Sequence, residues 1–150
     1  MTNKEFVLET MKRSGKLAAQ SVQTRSAEMT GTELNGESMY IPNFKSAVQK
    51  MNMLHRPIGF VCKSSAGRVV KLLQNYDSEI YTQEPEELPA QWGFVWSDDP
   101  AHAKPFVAIS TSPYMKGNCC TEGDGTFRSL IDNNVYAPSA YPQGWKQVMM

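Results

Sequence analysis

The sequence has little of what most enzymes, membrane proteins and nucleic-acid-binding proteins need. It has only 2 histidines and 3 cysteines among 150 residues, and its 15 basic side chains are cancelled by 15 acidic ones. Binding to nucleic acid is driven largely by clustered Lys and Arg, and no such cluster is present, so we expect no nucleic-acid partner. No apolar run reaches the roughly 18 residues of a membrane-spanning helix, so we expect no membrane partner either.

Catalytic and metal-binding motifs are also missing. We find no H-E-x-x-H, no G-x-S-x-G and no phosphate-binding loop. The segment 98–102 carries two acids and His102, but a solvated turn explains it better than a metal site does. The acids beside Pro85 are equally typical of a solvated surface. We therefore predict a protein that is not an enzyme and that holds no metal and no cofactor.

The cysteine count and the first residues bear on the compartment. An odd number of cysteines argues against a fully paired disulfide framework. The polar start of the chain, Met1-Thr2-Asn3-Lys4-Glu5-Phe6, does not look like a secretory signal peptide. We expect synthesis and folding in a cytoplasm, without secretion by a signal peptide. Cys119 and Cys120 are neighbours on a predicted strand, so Cys120 should point inward and Cys119 outward.

The first third of the chain, residues 1–54, is predicted to be a helical segment. A first helix is expected over 4–28 and a second, capped by Asn43, over 44–53. The apolar stripe of the first helix is thin and consists of Phe6, Val7, Met11, Ala18 and Val22. Such a helix needs a partner, which is either the rest of its own chain or a helix bundle between subunits.

From residue 57 the apolar period shortens to two, and Gly and Pro recur every few residues, which is typical of short strands. The predicted strands cover 59–63, 68–73, 92–96, a connector at 106–110, 118–121, 126–131 and 145–148. The predicted fold class is α+β, with the N-terminal helical segment followed by two small three-stranded antiparallel β modules.

An internal repeat is the strongest signal in the sequence. A shift of 58 residues places Gly59 on Gly117, Cys62 on Cys120, Gly67 on Gly125 and Leu72 on Leu130. After a change of offset to 53, the pattern P-x-x-x-P-x-x-W-x-x-V from Pro85 coincides with the same pattern from Pro138. We interpret 55–99 and 100–150 as two diverged copies of one β module.

Each copy is too small to bury much surface alone, so it needs a large anchor. Trp92 and Trp145 occupy equivalent positions, and each buries on the order of 200 Å² when it lies in a core. Gly67 and Gly125 are predicted to provide turn conformations that other residues resist. Both tryptophans are therefore predicted to be core residues rather than ligand contacts.

The second copy resembles a known family. The residues that carry the resemblance are Tyr114-Met115-Lys116-Gly117, the turn at Gly125, Phe127-Arg128-Ser129, the run from Asp132 to Pro138, and the run from Tyr141 to Val148. Together they are similar to the chitin- and cellulose-binding modules of carbohydrate-binding families 5 and 12. The closest likeness is to the versions in bacteriophage and prophage tail-associated proteins. The first copy follows the same outline more weakly.

The resemblance implies a short antiparallel sheet that binds sugar through exposed aromatic residues. Carried over by position, it implies ligand contact by Tyr136, Tyr114 and Tyr141, with hydroxyl groups of the sugar met by Asp132, Asn133 and Asn134. The same three polar residues also fit a loop whose side chains bond to their own backbone. In the first copy, Gln83 stands at the position of Tyr136, and Tyr81 is the nearest aromatic residue.

Three functions remain open from the sequence. The first is a glycan-binding accessory of a phage or prophage tail, which would reside in the virion. The second is a structural tail or baseplate protein that uses its modules to contact other tail proteins. For either, a homo-oligomer through the N-terminal helix is expected, with a trimer suited to a fibre or tip. The third is an enzyme domain or regulator without a tail role, for which no motif is present.

Overall fold

The computed structural model describes residues 3–149, except for the side chains at 5, 7–12 and 14. The N-terminal segment is helical, with α1 over Asn3–Arg25, α2 over Gly31–Gly36 and α3 over Phe44–Lys50. The two predicted helices are present but shorter than predicted, since they end at Arg25 and Lys50 instead of at 28 and 53. Asn43 stands at the N-cap of α3 without a side-chain hydrogen bond, and α2 was not foreseen. Within 3–149, none of the helices is both long and apolar enough to cross a membrane.

The second helix begins at a reciprocal cap. Thr30 accepts a hydrogen bond from the backbone N–H of Glu33, and the Glu33 side chain accepts one from the backbone N–H of Thr30. This capping box satisfies two of the donors that a helix start leaves unpaired. It holds a helix of only six residues, which is too short to be stable without such help and without tertiary packing.

The first sheet has three antiparallel strands in chain order, as predicted. They are β1 over Val61–Lys63, β2 over Val69–Leu72 and β3 over Trp92–Phe94. Cys62 lies opposite Val70, and Leu72 lies opposite Trp92. Since side chains alternate between the two faces of a strand, this register places Cys62, Val70, Leu72, Trp92 and Phe94 in one shared core.

The second sheet has four strands rather than the predicted three. They are β4 over Lys104–Pro105, β5 over Cys119–Glu122, β6 over Gly125–Ser129 and β7 over Trp145–Met149, with β4 parallel to β5 and the rest antiparallel. The strand predicted at 106–110 does not form. The guanidinium of Arg68 donates to the carbonyl oxygens of Pro105 and Phe106, so those acceptors bond to a side chain instead.

The turn between β5 and β6 differs from the prediction by one residue. Cys120 pairs with Phe127, whereas Cys62 pairs with Val70, so the offset from Val70 to Phe127 is 127 − 70 = 57 instead of 58. The left-handed φ falls on Gly123 (60°), not on Gly125, while Gly67 has the expected positive φ of 85°. A Cβ on Gly125 would instead lie 2.9 Å from the Phe127 ring, so Gly125 is required for packing rather than for the turn.

One hydrophobic core joins the two sheets. Trp92 and Trp145 are both buried in it, which confirms that they are core residues. Their indole N–H groups are satisfied by the hydroxyl of Tyr76 and by the carbonyl of Tyr136. Further buried aromatic residues of this core are Phe44, Phe60, Phe94, Trp96 and Tyr114. The core therefore includes residues from each of the predicted segments 1–54, 55–99 and 100–150.

The N-terminal helices cover the other face of the first sheet. A second cluster contains Val22, Leu34 and Ile41 from the helical segment and Val61 and Val69 from the sheet. Of the predicted stripe of α1, Val22 is buried, whereas Phe6 is exposed; the side chains of Val7 and Met11 lie outside the described residues. The first sheet is thus packed on both faces, which explains its nearly continuous apolar strands.

The outward position predicted for Cys119 is wrong. Cys119 and Cys120 do point to opposite faces, but both are buried. The Cys119 thiol lies 3.6 Å from the carbonyl oxygen of Asp98, because the turn at 97–102 packs against this face of β5. All three cysteines are free thiols, and burial raises the pKa of each.

Candidate functional site

The structure divides the six predicted ligand residues into a buried group and an exposed group. Tyr114 and Asn134 are buried, while Tyr136, Tyr141, Asp132 and Asn133 are exposed. The two buried residues pair through their backbones, since the N–H of each donates to the carbonyl of the other at 2.9 and 2.8 Å. This pairing anchors the loop that carries the exposed residues.

Tyr114 is a core residue, which corrects its prediction as a ligand contact. Only 1% of its surface is exposed. The ring of Tyr114 is stacked with that of Trp96, with centroids 4.2 Å apart, and with that of Phe106, with centroids 5.4 Å apart. Burial raises the pKa of its hydroxyl group, which accepts a hydrogen bond from the backbone N–H of Val107. A sugar cannot reach a ring enclosed in this way.

Asn134 is likewise structural. Its amide nitrogen donates to the Ser129 hydroxyl at 3.0 Å and to the Gly144 carbonyl at 3.2 Å. Its amide oxygen accepts the backbone N–H of Tyr136 at 3.2 Å. Side-chain hydrogen bonds of this kind let a polar residue be buried without a net cost. Asn134 therefore fixes the path of the chain into Tyr136 and is not free to bind a ligand.

Tyr136 and Tyr141 form an aromatic pair on the surface. They are 55% and 37% exposed, their ring centroids lie 5.6 Å apart, and their planes are inclined by 58°. The carbonyl of Tyr136 accepts the Trp145 indole N–H at 2.7 Å. The Tyr141 ring packs so closely on Gly144 that a Cβ there would lie 2.7 Å from it. The backbone of Tyr136 and the ring of Tyr141 thus both contact buried residues.

The loop that carries the pair is also fixed between its two tyrosines. The Glu122 carboxylate at the end of β5 accepts hydrogen bonds from the backbone N–H and the hydroxyl of Ser139, at 2.9 and 3.0 Å. The N–H of Tyr141 bonds to the carbonyl of Ala137 at 2.9 Å. A 3-10 turn over Pro142–Gly144 then leads directly into β7. A loop with this many contacts presents its aromatic faces in a defined geometry.

The two remaining predicted residues lie at the start of the same loop. The Asp132 carboxylate accepts the backbone N–H of Lys116 at 3.0 Å, which is a bond to another segment and not to its own loop. Asn133 is exposed and has a left-handed φ of 56°, a conformation that Asn tolerates better than most residues. Asn133 thus keeps an outward position at the edge of the loop.

The first module lacks the corresponding pair. The offset of 53 residues places Gln83 at the position of Tyr136 and Leu88 at that of Tyr141. Tyr81, the aromatic residue nearest to Gln83 in the sequence, is 52% exposed. The part of the chain described by the structure therefore presents the paired aromatic surface on the second module alone.

No metal-binding cluster accompanies the pair in the part of the chain that the structure describes. No group of three or more His, Cys, Asp or Glu side chains there is arranged to hold a metal ion. Asp99 lies 4.0 Å from His102, but it also accepts the backbone N–H of Ala101 and so caps a 3-10 turn over Pro100–His102. The segment 98–102 is a capped turn, as predicted.

Sequence reasoning missed a groove that is separate from the tyrosine pair. It is a groove of about 650 Å³ between α1 and the segment around α3, and Lys16, Lys50 and Arg56 are among the residues that line it. These residues are separated by up to 40 positions, and no local motif unites them. Only an excess of Lys and Arg over acids in the three lining segments hinted at it.

The comparisons with known proteins give no relative. No protein-family model, no curated protein and no solved structure matches this chain.

Proposed function

We propose that this protein is a non-catalytic glycan-binding protein whose binding surface is the exposed pair Tyr136 and Tyr141. The observation that carries the proposal is the geometry of this pair. The two exposed tyrosine rings lie 5.6 Å apart, Trp145 fixes the backbone of Tyr136, and the Tyr141 ring packs on Gly144. Asn133 and Gln143 are exposed nearby in the chain and supply amide groups for sugar hydroxyls.

The chemistry of a polysaccharide suits this surface. A pyranose ring presents a flat patch of C–H bonds that packs against an aromatic face, while its hydroxyl groups need hydrogen-bonding partners such as amides. Two aromatic rings fixed in advance lose little conformational entropy on binding, which favours affinity. The inclination of 58° between the ring planes favours neighbouring sugar units that are rotated relative to each other.

We also infer an internal duplication, which supports the proposal of glycan binding. Strands β1, β2 and β3 and strands β5, β6 and β7 have the same antiparallel order. In both modules a proline-rich segment precedes a buried Trp at the start of the last strand. We infer that one ancestral module was duplicated, that the second copy retained the aromatic surface, and that the first became a structural part of the common core.

The resemblance of the second module to tail-associated versions of chitin- and cellulose-binding modules leads us to propose a location in a phage or prophage tail. The partner would be a glycan of the host cell surface or cell wall. Neither nucleic acid nor a membrane is part of this proposal, and the binding surface needs no cofactor and performs no reaction.

A second candidate is a structural tail or baseplate protein whose modules contact other tail proteins. The observation that favours it is the helix α1, which has 23 residues and so a length of roughly 35 Å. Among the described side chains of α1, Val22 is buried and Gln23 bonds to the backbone of Val61, both in the last turns of the helix. The earlier part, including the exposed Leu17, is suited to a trimeric bundle between subunits.

The test of glycan binding is retention of the full chain on insoluble chitin, cellulose and purified Gram-positive cell wall. Wild type should be retained on at least one matrix, and Tyr136→Ala should bind that matrix about 5- to 150-fold more weakly, since loss of one stacked ring costs about 1–3 kcal/mol. Tyr81→Ala is the matched control, because it removes an equally exposed tyrosine from the first module. Absence of retention on every matrix, or equal losses in both variants, would contradict the proposal.

The second candidate is tested by the mass of the full chain in solution, measured by light scattering after size exclusion. A trimer that dissociates in the variant Leu17→Asp would support assembly through α1, because the substitution places a charge on an apolar contact. The control Lys16→Asp changes the neighbouring exposed position. A clean monomer at high concentration would rule the bundle out and leave the glycan proposal untouched.

A further inference from the structure

The groove between α1 and the segment that contains α3 is distinct from the tyrosine pair. Its apolar wall consists of Ala19, Ile41, Pro42 and Phe60, and its volume is about 650 Å³. This lies within the range of about 300–1,000 Å³ that is typical of small-molecule sites. The three cations Lys16, Lys50 and Arg56 line the same space.

The charge of the groove is one-sided. None of its lining residues is Asp or Glu, although the chain as a whole carries as many acids as bases. Lys16 and Lys50 are exposed, so their ammonium groups can reach a ligand from opposite elements, α1 and α3. A concave surface lined by cations alone concentrates anions from solution.

Arg56 is the only one of the three cations that is partly enclosed. Its guanidinium lies 4.4 Å above the centre of the Phe60 ring, and one terminal nitrogen donates to the Ala47 carbonyl at 2.9 Å. Its Nε is buried and has no hydrogen-bond partner among the described residues. A buried donor without a partner costs free energy, so the guanidinium of Arg56 is held in a partly desolvated position. Burial also lowers the pKa of Arg56.

We propose that this groove binds a small amphipathic carboxylate. Its carboxylate group is held by Arg56 with support from Lys16 and Lys50, and its hydrocarbon part packs along Ile41, Pro42 and Phe60. A carboxylate is favoured because a charged acceptor makes stronger hydrogen bonds to guanidinium and ammonium donors than a neutral acceptor does. The apolar wall excludes a fully hydrated inorganic anion as the preferred ligand. This site is independent of the glycan surface, which lies on the second module.

The experiment is isothermal titration of the full chain with decanoate, below the concentration at which it forms micelles. Decanol has the same chain length without the charge, and decyltrimethylammonium has the opposite charge. Decanoate should bind, decanol should bind more weakly, and decyltrimethylammonium should show no binding. The variant Lys16→Glu/Lys50→Glu should bind decanoate about tenfold more weakly. Both lysines are changed together because a single exposed ion pair contributes little to affinity.

The control variant is Lys45→Glu/Lys116→Glu, which makes the same change of charge at two exposed positions that do not line the groove. It should bind decanoate as wild type does. A third variant, Ala19→Phe, fills the apolar wall without changing charge and should reduce the affinity for decanoate. Circular dichroism verifies that each variant is folded.

Three results would overturn the proposal. The first is the absence of any binding of decanoate to the folded wild type. The second is equal binding of decanoate and decanol, which would show that the cations play no part. The third is an equal loss of affinity in the groove variant and its control, which would show that net charge rather than the groove decides.

Discussion

The side-chain amide of Gln23 in α1 pairs with the backbone of Val61 in β1 as the next strand of a sheet would. Its nitrogen donates to the Val61 carbonyl at 2.7 Å, and its oxygen accepts the Val61 N–H at 2.9 Å. Strand β1 lies at the edge of its sheet, where unpaired backbone groups invite association with other chains. Two residues along, the N–H of Lys63 donates to the Pro42 carbonyl. The helical segment therefore covers the edge as well as the face of the first sheet.

Replacing Gln23 should expose this edge. We expect Gln23→Ala to lower the free energy of unfolding by about 1–3 kcal/mol, because two half-buried backbone groups lose their partners. Denaturation by urea measures the change. Gln20→Ala, at an exposed position one turn earlier in α1, should stay within about 0.5 kcal/mol of wild type. Equal effects of the two substitutions would mean that the edge is not protected by Gln23.

The ion pair between Arg68 and Glu86 should be much more important than the exposed pair between Arg25 and Glu37. The first pair is buried, with a distance of 2.7 Å, and its Arg68 also donates to the Pro105 carbonyl, which joins the two modules. Arg68→Ala should destabilise by about 3–5 kcal/mol, because the largely buried Glu86 carboxylate loses its charged partner and keeps the hydrogen bond from the Ser64 hydroxyl. Arg25→Ala should cost less than about 1 kcal/mol. Guanidinium titrations of both variants give the comparison, and similar losses would refute this ranking.

Two glycines of the helical segment should respond in opposite directions to alanine. A Cβ on Gly31 would collide with the carbonyl oxygen of Trp96, so Gly31→Ala should destabilise the contact between α2 and the first sheet. Gly15 lies within α1 with open space around it, so Gly15→Ala should favour the helix by up to about 1 kcal/mol. Thermal unfolding separates the two, since Tm should fall for the first variant and rise or stay constant for the second.

The three thiols should be unreactive toward thiol reagents in the native protein, and their ionisation should destabilise the fold at alkaline pH. Burial raises the pKa of Cys120 from an ordinary value of 9.0 to about 12, and that of Cys62 still further. For a group whose pKa is raised by folding, the stability is complete below the unfolded pKa and is lost as the pH rises through the folded one. The free energy of unfolding should therefore fall progressively from about pH 9 toward pH 12.

A colorimetric thiol reagent provides the matching measurement at neutral pH. No thiol should react on the time scale of mixing in the native protein, and all three should react after unfolding in guanidinium, because only the exposed thiolate is the nucleophile. Rapid reaction of any thiol in the native state would contradict this prediction.

Much of the candidate site followed from the sequence, and its errors have one physical cause. The repeat identified Trp92 and Trp145 as anchors, because a large apolar residue that recurs at a fixed place in short β units has few alternatives to the core. Tyr114 was predicted to contact a ligand, yet it is buried. An isolated tyrosine in an irregular segment has no periodicity, so nothing local reveals which way its ring points.

The same limitation explains the missed register. A shift of 58 residues aligns Gly67 with Gly125 because both are glycine. Gly125, however, has no positive φ, and Gly123 makes the turn. Identity in sequence does not tell whether a glycine is needed for its φ or for the space that it leaves. Only the distance from Gly125 to the ring of Phe127 distinguishes the two.

The sequence by itself determined the α+β class, the approximate positions of α1 and α3, the two proline-and-tryptophan segments and the exposed candidate Tyr136, because each depends on local conformational preference or on the periodicity of apolar residues. Tertiary structure alone decided that β4 joins the second sheet in parallel, that Gln23 completes the edge of β1, and that Tyr141 stands beside Tyr136. It also brought Lys16, Lys50 and Arg56 to one groove. These relationships arise when distant segments pack to bury apolar surface and to satisfy backbone groups, and no local pattern encodes such pairings.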